Sequence, residues 1–463
     1  MRYKFSPGVF YKLLTNPLRY FILALAFHLL AGLSQAQGQP VGKPEARLYL
    51  TRTPTQQELS KRNSHVKFEP ALGCYLGGFV QFDGTLKTTI KDSEGKIHRD
   101  PREFERAVGK PHSMYFFYVG YGHSVQKGWM KWLVGQGKFI HIALEPNDGL
   151  DKVKDDRYLQ TIADALKNTG GKVFLRFGSE MNGFWSNYHD PKKFKEKFRL
   201  VHDVMKRRAP NVAMVWCPYA VPTRHIPDYY PGDDVVDWVG LNMYSVTFHD
   251  NSLQHPCENE HTSDLLSTVY DRYAARKPMM ICEFAATHQA ACEIRPRPEF
   301  AKRKILTLYN DLQRRFPRVK AINYFDSNNL QFTATANNDY SVTNNAEVLE
   351  AYRFAISSPY FLPAPLPTEK TQPIFAIPMP LKNGEVLKGL VHLSCTARTP
   401  SDLLTVRYLL DGKLLYTANS PEHWALNWDA SSTSPGNHRL SLEVVNAQGR
   451  VATTQVVRVR VMK

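Results

Sequence analysis

The stretch Val173-Phe174-Leu175-Arg176-Phe177-Gly178-Ser179-Glu180-Met181-Asn182-Gly183 runs an apolar strand straight into a carboxylate. Pro278-Met279-Met280-Ile281-Cys282-Glu283-Phe284 does the same further along the chain. A carboxylate at the end of a buried strand costs free energy unless something uses it. Two of them, on separate strands, suggest a pair of acids facing one sugar bond.

Working outward, these strands are two of eight short apolar runs: Cys74–Val80, Met114–Val119, Phe139–Leu144, Val173–Phe177, Val212–Cys217, Val235–Leu241, Met279–Cys282 and Val319–Phe325. Helical patterns separate them, including Tyr158–Asn168, Pro191–Arg208, Ser263–Arg276 and Glu299–Phe316. Alternating strands and helices imply a parallel sheet. Eight such units within residues 71–358 predict an α/β fold of the (β/α)8 TIM barrel kind. No Gly-x-Gly-x-x-Gly follows the first run, which weighs against a doubly wound nucleotide-binding sheet. The segment Pro218 to Asp234 lacks a helical period and is expected to be a long loop with at most a short helix.

A chain of 463 residues is too long for one ordinary core, so two folded domains are expected. Composition changes at Pro359. Pro363, Pro365, Pro367, Pro373, Pro378 and Pro380 follow, and residues 359–380 read as a stiff linker. Beyond it, Val391–Thr396, Leu404–Leu410, Lys413–Ala418, His438–Val445 and Thr454–Val461 alternate apolar and polar residues, with a hairpin turn at Asp411-Gly412 and a further turn signal at Pro435-Gly436. Residues 381–463 are expected to form an immunoglobulin-like sandwich, independent of the barrel. Residues 37–70 read as an N-terminal extension.

The N-terminus has the form of an export signal over residues 1–36. Arg2, Lys4, Lys12 and Arg19 precede or flank an apolar run of 14 residues, Tyr20 to Leu33, and Ser34-Gln35-Ala36 offers a cleavage site. The run is shorter than the roughly 20 residues that a membrane-spanning helix needs. A secreted or periplasmic location is expected, with an uncleaved anchor as the competing interpretation. Net charge is +16, yet Lys192, Lys193, Lys195, Lys197, Arg199, Lys206, Arg207 and Arg208 all fall on one helix and read as its solvated side. No nucleic-acid-binding motif accompanies them, so no nucleic acid partner is expected. Among six cysteines, Cys74, Cys217 and Cys282 lie in strands, and Cys395 stands apart. Cys257 and Cys292 follow consecutive strands in polar loops and are expected to form a disulfide in an oxidising compartment. No pair has C-x-x-C spacing, so no metal site is expected.

In a barrel the site lies at the C-terminal strand ends. Arg176, Gly178 and Glu180 share one parity, so Arg176 and Glu180 are expected to point into the mouth. Glu180, among aromatic groups, is the candidate acid. Glu283 needs a partner, and Tyr244 is the candidate donor. Trp185, Tyr188, Tyr219, Tyr244, Tyr324 and Phe325 fall just after strands and offer faces for sugar rings. Glu145, Asn147, Asn182, Asn242 and Asp326 offer hydrogen bonds to hydroxyls. His141 lies deeper and reads as a satisfied core histidine.

The segment Arg176-Phe177-Gly178-Ser179-Glu180-Met181-Asn182-Gly183-Phe184-Trp185 resembles the acid/base motif of glycoside hydrolase family 26, whose members include β-mannanases, mixed-linkage β-glucanases and β-1,3-xylanases. Val215-Trp216-Cys217-Pro218, Val235-Val236-Asp237-Trp238-Val239-Gly240 and Ile281-Cys282-Glu283-Phe284 are similar to its fifth, sixth and seventh strands. The resemblance implies Glu180 as acid/base, Glu283 as nucleophile and Tyr244 as the tyrosine bonded to it, in a retaining, endo-acting hydrolase of a β-linked polysaccharide that needs no cofactor. Ser179 departs from the family, which usually has histidine there. Mannan, mixed-linkage glucan and an acidic glycan are all compatible. Arg176, Ser179, Asn182, Trp185, Glu145, Asn242, Tyr244, Tyr324 and Phe325 are the expected substrate-binding residues. The protein is expected to be a monomer whose partner is a polysaccharide or oligosaccharide, with cell-surface association as a further expectation. A non-catalytic carbohydrate-binding protein and a surface adhesin on the same barrel are the competing functions.

Overall fold

In the computed structural model the described residues are 43–332, 336–366, 372–401 and 403–463. The export segment lies outside them. Eight parallel strands close into a barrel: Cys74–Phe82, Met114–Gly120, Phe139–Glu145, Val173–Phe177, Val212–Trp216, Trp238–Ser245, Met279–Ala286 and Val319–Ser327. The last pairs in parallel with the first, Ala321 opposite Tyr75 and Phe325 opposite Phe79, and this closes the ring. Every run in the sequence became a strand. The sixth begins at Trp238 rather than Val235.

The helices form where capping and amphipathic spacing agree. Pro191–Arg208 opens on Asp190, whose carboxylate accepts from Lys193 N at 3.0 Å, and Pro191 takes the first turn, where a missing N–H costs nothing. It buries Phe194, Phe198, Val201, Val204 and Met205, and it ends on Lys206, Arg207 and Arg208. Its basic face is exposed and ion-paired outward, with Arg199 to Asp234 and Arg208 to Asp164 both at 2.6 Å. The loop after the fifth strand contains one short 3-10 helix, Thr223–Tyr229.

The C-terminal region consists of two sheets sharing one apolar core, which includes Leu48, Leu393, Trp428, Val406, Leu442 and Val457. The hairpin at Asp411-Gly412 is present, with Leu410 opposite Lys413 and both turn residues at positive φ. Two expectations fail here. The N-terminal extension is not separate: Glu45–Arg52 lies antiparallel between Ile377–Pro380 and Leu390–Arg398, as an inner strand of the first sheet. The described parts of residues 359–380 are also not a linker apart from the two domains. Phe361–Leu362 extends the barrel sheet beside Cys74, while Ile377 and Met379 pack against the barrel's own core. Proline-rich spacing conceals this, because edge strands tolerate proline. Polar contacts tie the two parts together. Asn310 Nδ2 donates to Cys395 O at 3.2 Å, Arg315 pairs with Glu45 at 3.2 Å, and Arg398 makes a two-armed ion pair with Asp264.

Candidate active site

Glu180 and Glu283 both stand at the C-terminal mouth of the barrel. After the fourth strand the chain turns through Gly178 at φ 59°, and Glu180 itself adopts φ 59°. A non-glycine residue in the left-handed region costs about 1 kcal/mol or more, so something must hold it there. Glu180 N donates to Cys217 O at 2.8 Å, which anchors the turn to the neighbouring strand end. The carboxylate then receives Trp185 Nε1 at 2.7 Å on Oε2 and Asn242 Nδ2 at 2.8 Å on Oε1.

Glu283 lies mid-strand and is buried. Arg176 Nη2 donates to its Oε1 at 2.6 Å, Tyr118 OH to the same oxygen at 2.7 Å, and Tyr244 OH to Oε2 at 2.5 Å. Arg176 is fully buried and reaches Asn242 Oδ1 at 2.9 Å with its other arm. Burial works against its charge, but the adjacent Glu283 overrides that and holds the guanidinium well above its ordinary pKa. Its planar cation also sits 5.4 Å from the centre of Phe116 and 5.6 Å from that of Tyr118. Burial, then the charge of Glu283, pushes the phenols of Tyr244 and Tyr118 far up, so both stay protonated as donors. Three donors, one of them a cation, thus converge on the Glu283 carboxylate and fix its orientation.

The sixth strand must pass close beneath this assembly. A Cβ on Gly240 would meet Cys282 Sγ at 2.6 Å and Cys217 Cβ at 2.9 Å, so only glycine fits. His141 is fully buried with Cys282 beside it, but neither ring nitrogen has a hydrogen bond of ordinary geometry. It is a core histidine, as expected, with the Cys282 thiol as its polar neighbour.

Trp185, Tyr219 and Tyr244 are half-buried around the carboxylates. Trp185 meets Tyr219 edge-on at 5.1 Å, and Tyr219 lies 6.4 Å from Tyr244, nearly parallel at 25°. These rings can offer apolar faces to a sugar.

Other expected binding residues are committed elsewhere. Tyr324 is fully buried, packs on Phe284 and Tyr352, and donates to Tyr340 O at 3.1 Å. Phe325 stacks on Phe79 at 5.0 Å and backs Tyr244. Asn182 spends its amide on loop backbone, donating to Tyr219 O and accepting from Tyr219 N, both at 2.9 Å. Ser179 is bound to the end of the third strand: its N and Oγ donate to Glu145 at 2.9 and 2.5 Å. Tyr188 OH adds a third bond to Glu145 at 3.0 Å. Burial, the leading influence, raises the Glu145 pKa despite these donors. Asp326 is buried with its oxygen on Val342 N at 2.7 Å. Strand parity alone cannot tell a residue facing the mouth from one deeper in the same layer.

Tyr118 was missed by the sequence reading. It shares the inward parity of Phe116 on the second strand, which was the available signal. The expected disulfide is also absent. Cys257 and Cys292 are free thiols, and Cys257 Sγ points inward to Val246 O at 3.2 Å rather than toward Cys292.

Residues 69–255 match the model for glycosyl hydrolase family 26.

Over that span the chain is similar to family 26 glycosyl hydrolases.

The match includes Glu180, Asn242 and Tyr244 and ends before Glu283. A β-1,3-xylanase of a Vibrio species is 34% identical over 115 residues, covering 22% of this chain and 24% of that protein. Endoglucanase H of Acetivibrio thermocellus is 24% identical over 239 residues, covering 48% of this chain and 25% of its own length. The chain thus spans about a quarter of the length of these relatives. A solved endo-β-1,4-mannanase of Cellulomonas fimi is 14% identical and covers 84% of this chain and 94% of its own, with a TM-score of 0.45. That superposition is too loose to add to the fold described above.

Proposed function

We propose that the protein is a retaining glycoside hydrolase of a β-linked polysaccharide, working by double displacement. Glu283 attacks the anomeric carbon while Glu180 gives its proton to the departing glycosidic oxygen. Glu180 then takes a proton from water, whose oxygen displaces Glu283 and restores both groups. The observation that carries this reading is the difference between the two carboxylates. Glu283 is fixed by one cation, Arg176, and two phenols, Tyr118 and Tyr244, which hold its carboxylate in one orientation for attack. Glu180 takes neutral donors, Trp185 and Asn242, on its two oxygens, and it is the carboxyl assigned to carry the proton.

No metal or organic cofactor enters these steps. The relatives' activities, β-1,3-xylanase and endoglucanase, add xylan to the panel of mannan and mixed-linkage glucan. Export, resting on the N-terminal segment, belongs to the same proposal. The test is hydrolysis of that panel by the native protein, Glu283→Ala and Glu180→Ala. Activity on at least one glycan that falls by roughly 10⁴-fold or more in Glu283→Ala is expected, because that variant loses the covalent route. A folded native protein that binds glycans without cutting any would make it a carbohydrate-binding protein instead.

A further inference from the structure

Beyond the site just described, one loop gathers a second set of chemically distinctive side chains. It follows the sixth strand, immediately after Tyr244. Phe248 bridges Pro256, Cys257 N donates to Thr247 O at 2.9 Å, and His249 N donates to His255 O at 2.9 Å. This small hairpin brings His249 and Cys257 side by side. Glu260 N then donates to Cys257 O at 2.9 Å, and Lys304 Nζ holds Glu260 O, so the third residue is folded back onto the pair. His249 Nε2 lies 2.9 Å from Glu260 Oε1. One donor atom from each of His249, Cys257 and Glu260 falls within 4.8 Å of the other two.

We propose that His249, Cys257 and Glu260 bind a thiophilic divalent cation of the zinc class, which fixes the loop that leads out of Tyr244. The donor set is the argument. A thiolate, an imidazole nitrogen and a carboxylate oxygen from one loop are the ligand types zinc takes, and a tetrahedral ion would keep one position for water. The soft sulfur favours zinc over calcium or magnesium. The thiolate and the carboxylate together balance the ion's two charges, with Lys304 as the cation nearby. Cys257 is buried, so the ion would be held on its sulfur side away from solvent. On binding, the thiol gives its proton to the buffer and the sulfur takes the metal in its place. Sequence spacing hides this set, because the ligands are scattered and contain no cysteine pair. The inference does not depend on the hydrolase reading, since its test reads metal binding and not turnover.

The test uses the full-length protein, stripped of metal and kept reduced with a phosphine, with Co²⁺ alone as the probe. A near-ultraviolet thiolate-to-cobalt band saturating at one ion per chain is expected, and Zn²⁺ should abolish it. Cys257→Ser should lose the band, Glu260→Gln should weaken binding by about tenfold or more, and Cys292→Ser should retain it. Circular dichroism checks that each variant is folded. If Cys257→Ser does not fold, the contrast between Glu260→Gln and Cys292→Ser decides. No band in the folded native protein, or a band lost with Cys292 instead of Glu260, would overturn the proposal.

Discussion

Asn242 joins the two carboxylates of the site: its Oδ1 accepts from Arg176 at 2.9 Å and its Nδ2 donates to Glu180 at 2.8 Å. Arginine can only donate, so the amide orientation is forced. Arg176, locked to Glu283, therefore sets the position of Glu180 through one side chain.

Asn242→Ala should leave Glu180 without its Oε1 donor and Arg176 with a vacant arm. A loss of about 10²-fold in kcat is expected, because small misplacements of a reacting group cost that much. Steady-state kinetics on the best glycan of the panel checks this, and a kcat within about twofold of native would break the link.

Tyr244→Phe and Tyr118→Phe each remove one phenol from Glu283. Tyr244 is the sole donor among these to Oε2, whereas Tyr118 shares Oε1 with Arg176. The Tyr244 variant should lose more activity, by roughly tenfold relative to Tyr118→Phe, in line with about 1.5 kcal/mol for a bond to a charged group. Equal losses would mean that the two oxygens are not distinguished.

Ending the chain at residue 370 should destabilise the barrel. It removes Ile377 and Met379 from the barrel core, breaks the Arg398–Asp264 pair, and leaves Glu45–Arg52 with no sheet to join. An apparent Tm lower by about 5 °C or more, or aggregation, is expected. A truncated barrel that melts like the whole protein would show the two parts to be independent.

Lys320 gives a pH signature unrelated to catalysis. It is buried on the last barrel strand, and burial pulls its pKa from 10.5 to about 7. The folded state therefore sheds this proton near pH 7 while the unfolded chain holds it up to 10.5. Between those values the unfolded state binds more protons, so this group makes stability rise with pH, by up to about 1.4 kcal/mol per unit. Lys320→Met should flatten that rise when denaturation is compared at about pH 6 and about pH 9. An identical pH slope in native and variant would contradict it.

The barrel was legible because its strands are short, continuous apolar runs, buried on both faces. Gly178-Ser179-Glu180 and Cys282-Glu283 marked the carboxylates because charge set against an apolar run is conspicuous, although Glu283 lies inside its strand. Strand membership across long separations was not legible. Glu45–Arg52 alternates in the manner of any edge segment, and nothing local says that it pairs with Leu390–Arg398. Ser179 and Asn182 looked available for substrate because hydroxyl and amide groups do so in one dimension. Their partners, Glu145 and the Tyr219 backbone, are far apart in the chain and meet them only in the fold.

The division of labour between Glu283 and Glu180 is tested most directly by trapping the intermediate. The native protein would be treated with activated 2-deoxy-2-fluoro β-glycosides of glucose, mannose and xylose, then digested and mapped by mass spectrometry. One glycosyl adduct on the peptide containing Glu283, absent in Glu283→Ala, is expected. An adduct on Glu180, or fully active protein that never forms an adduct and releases the inverted anomer, would contradict it.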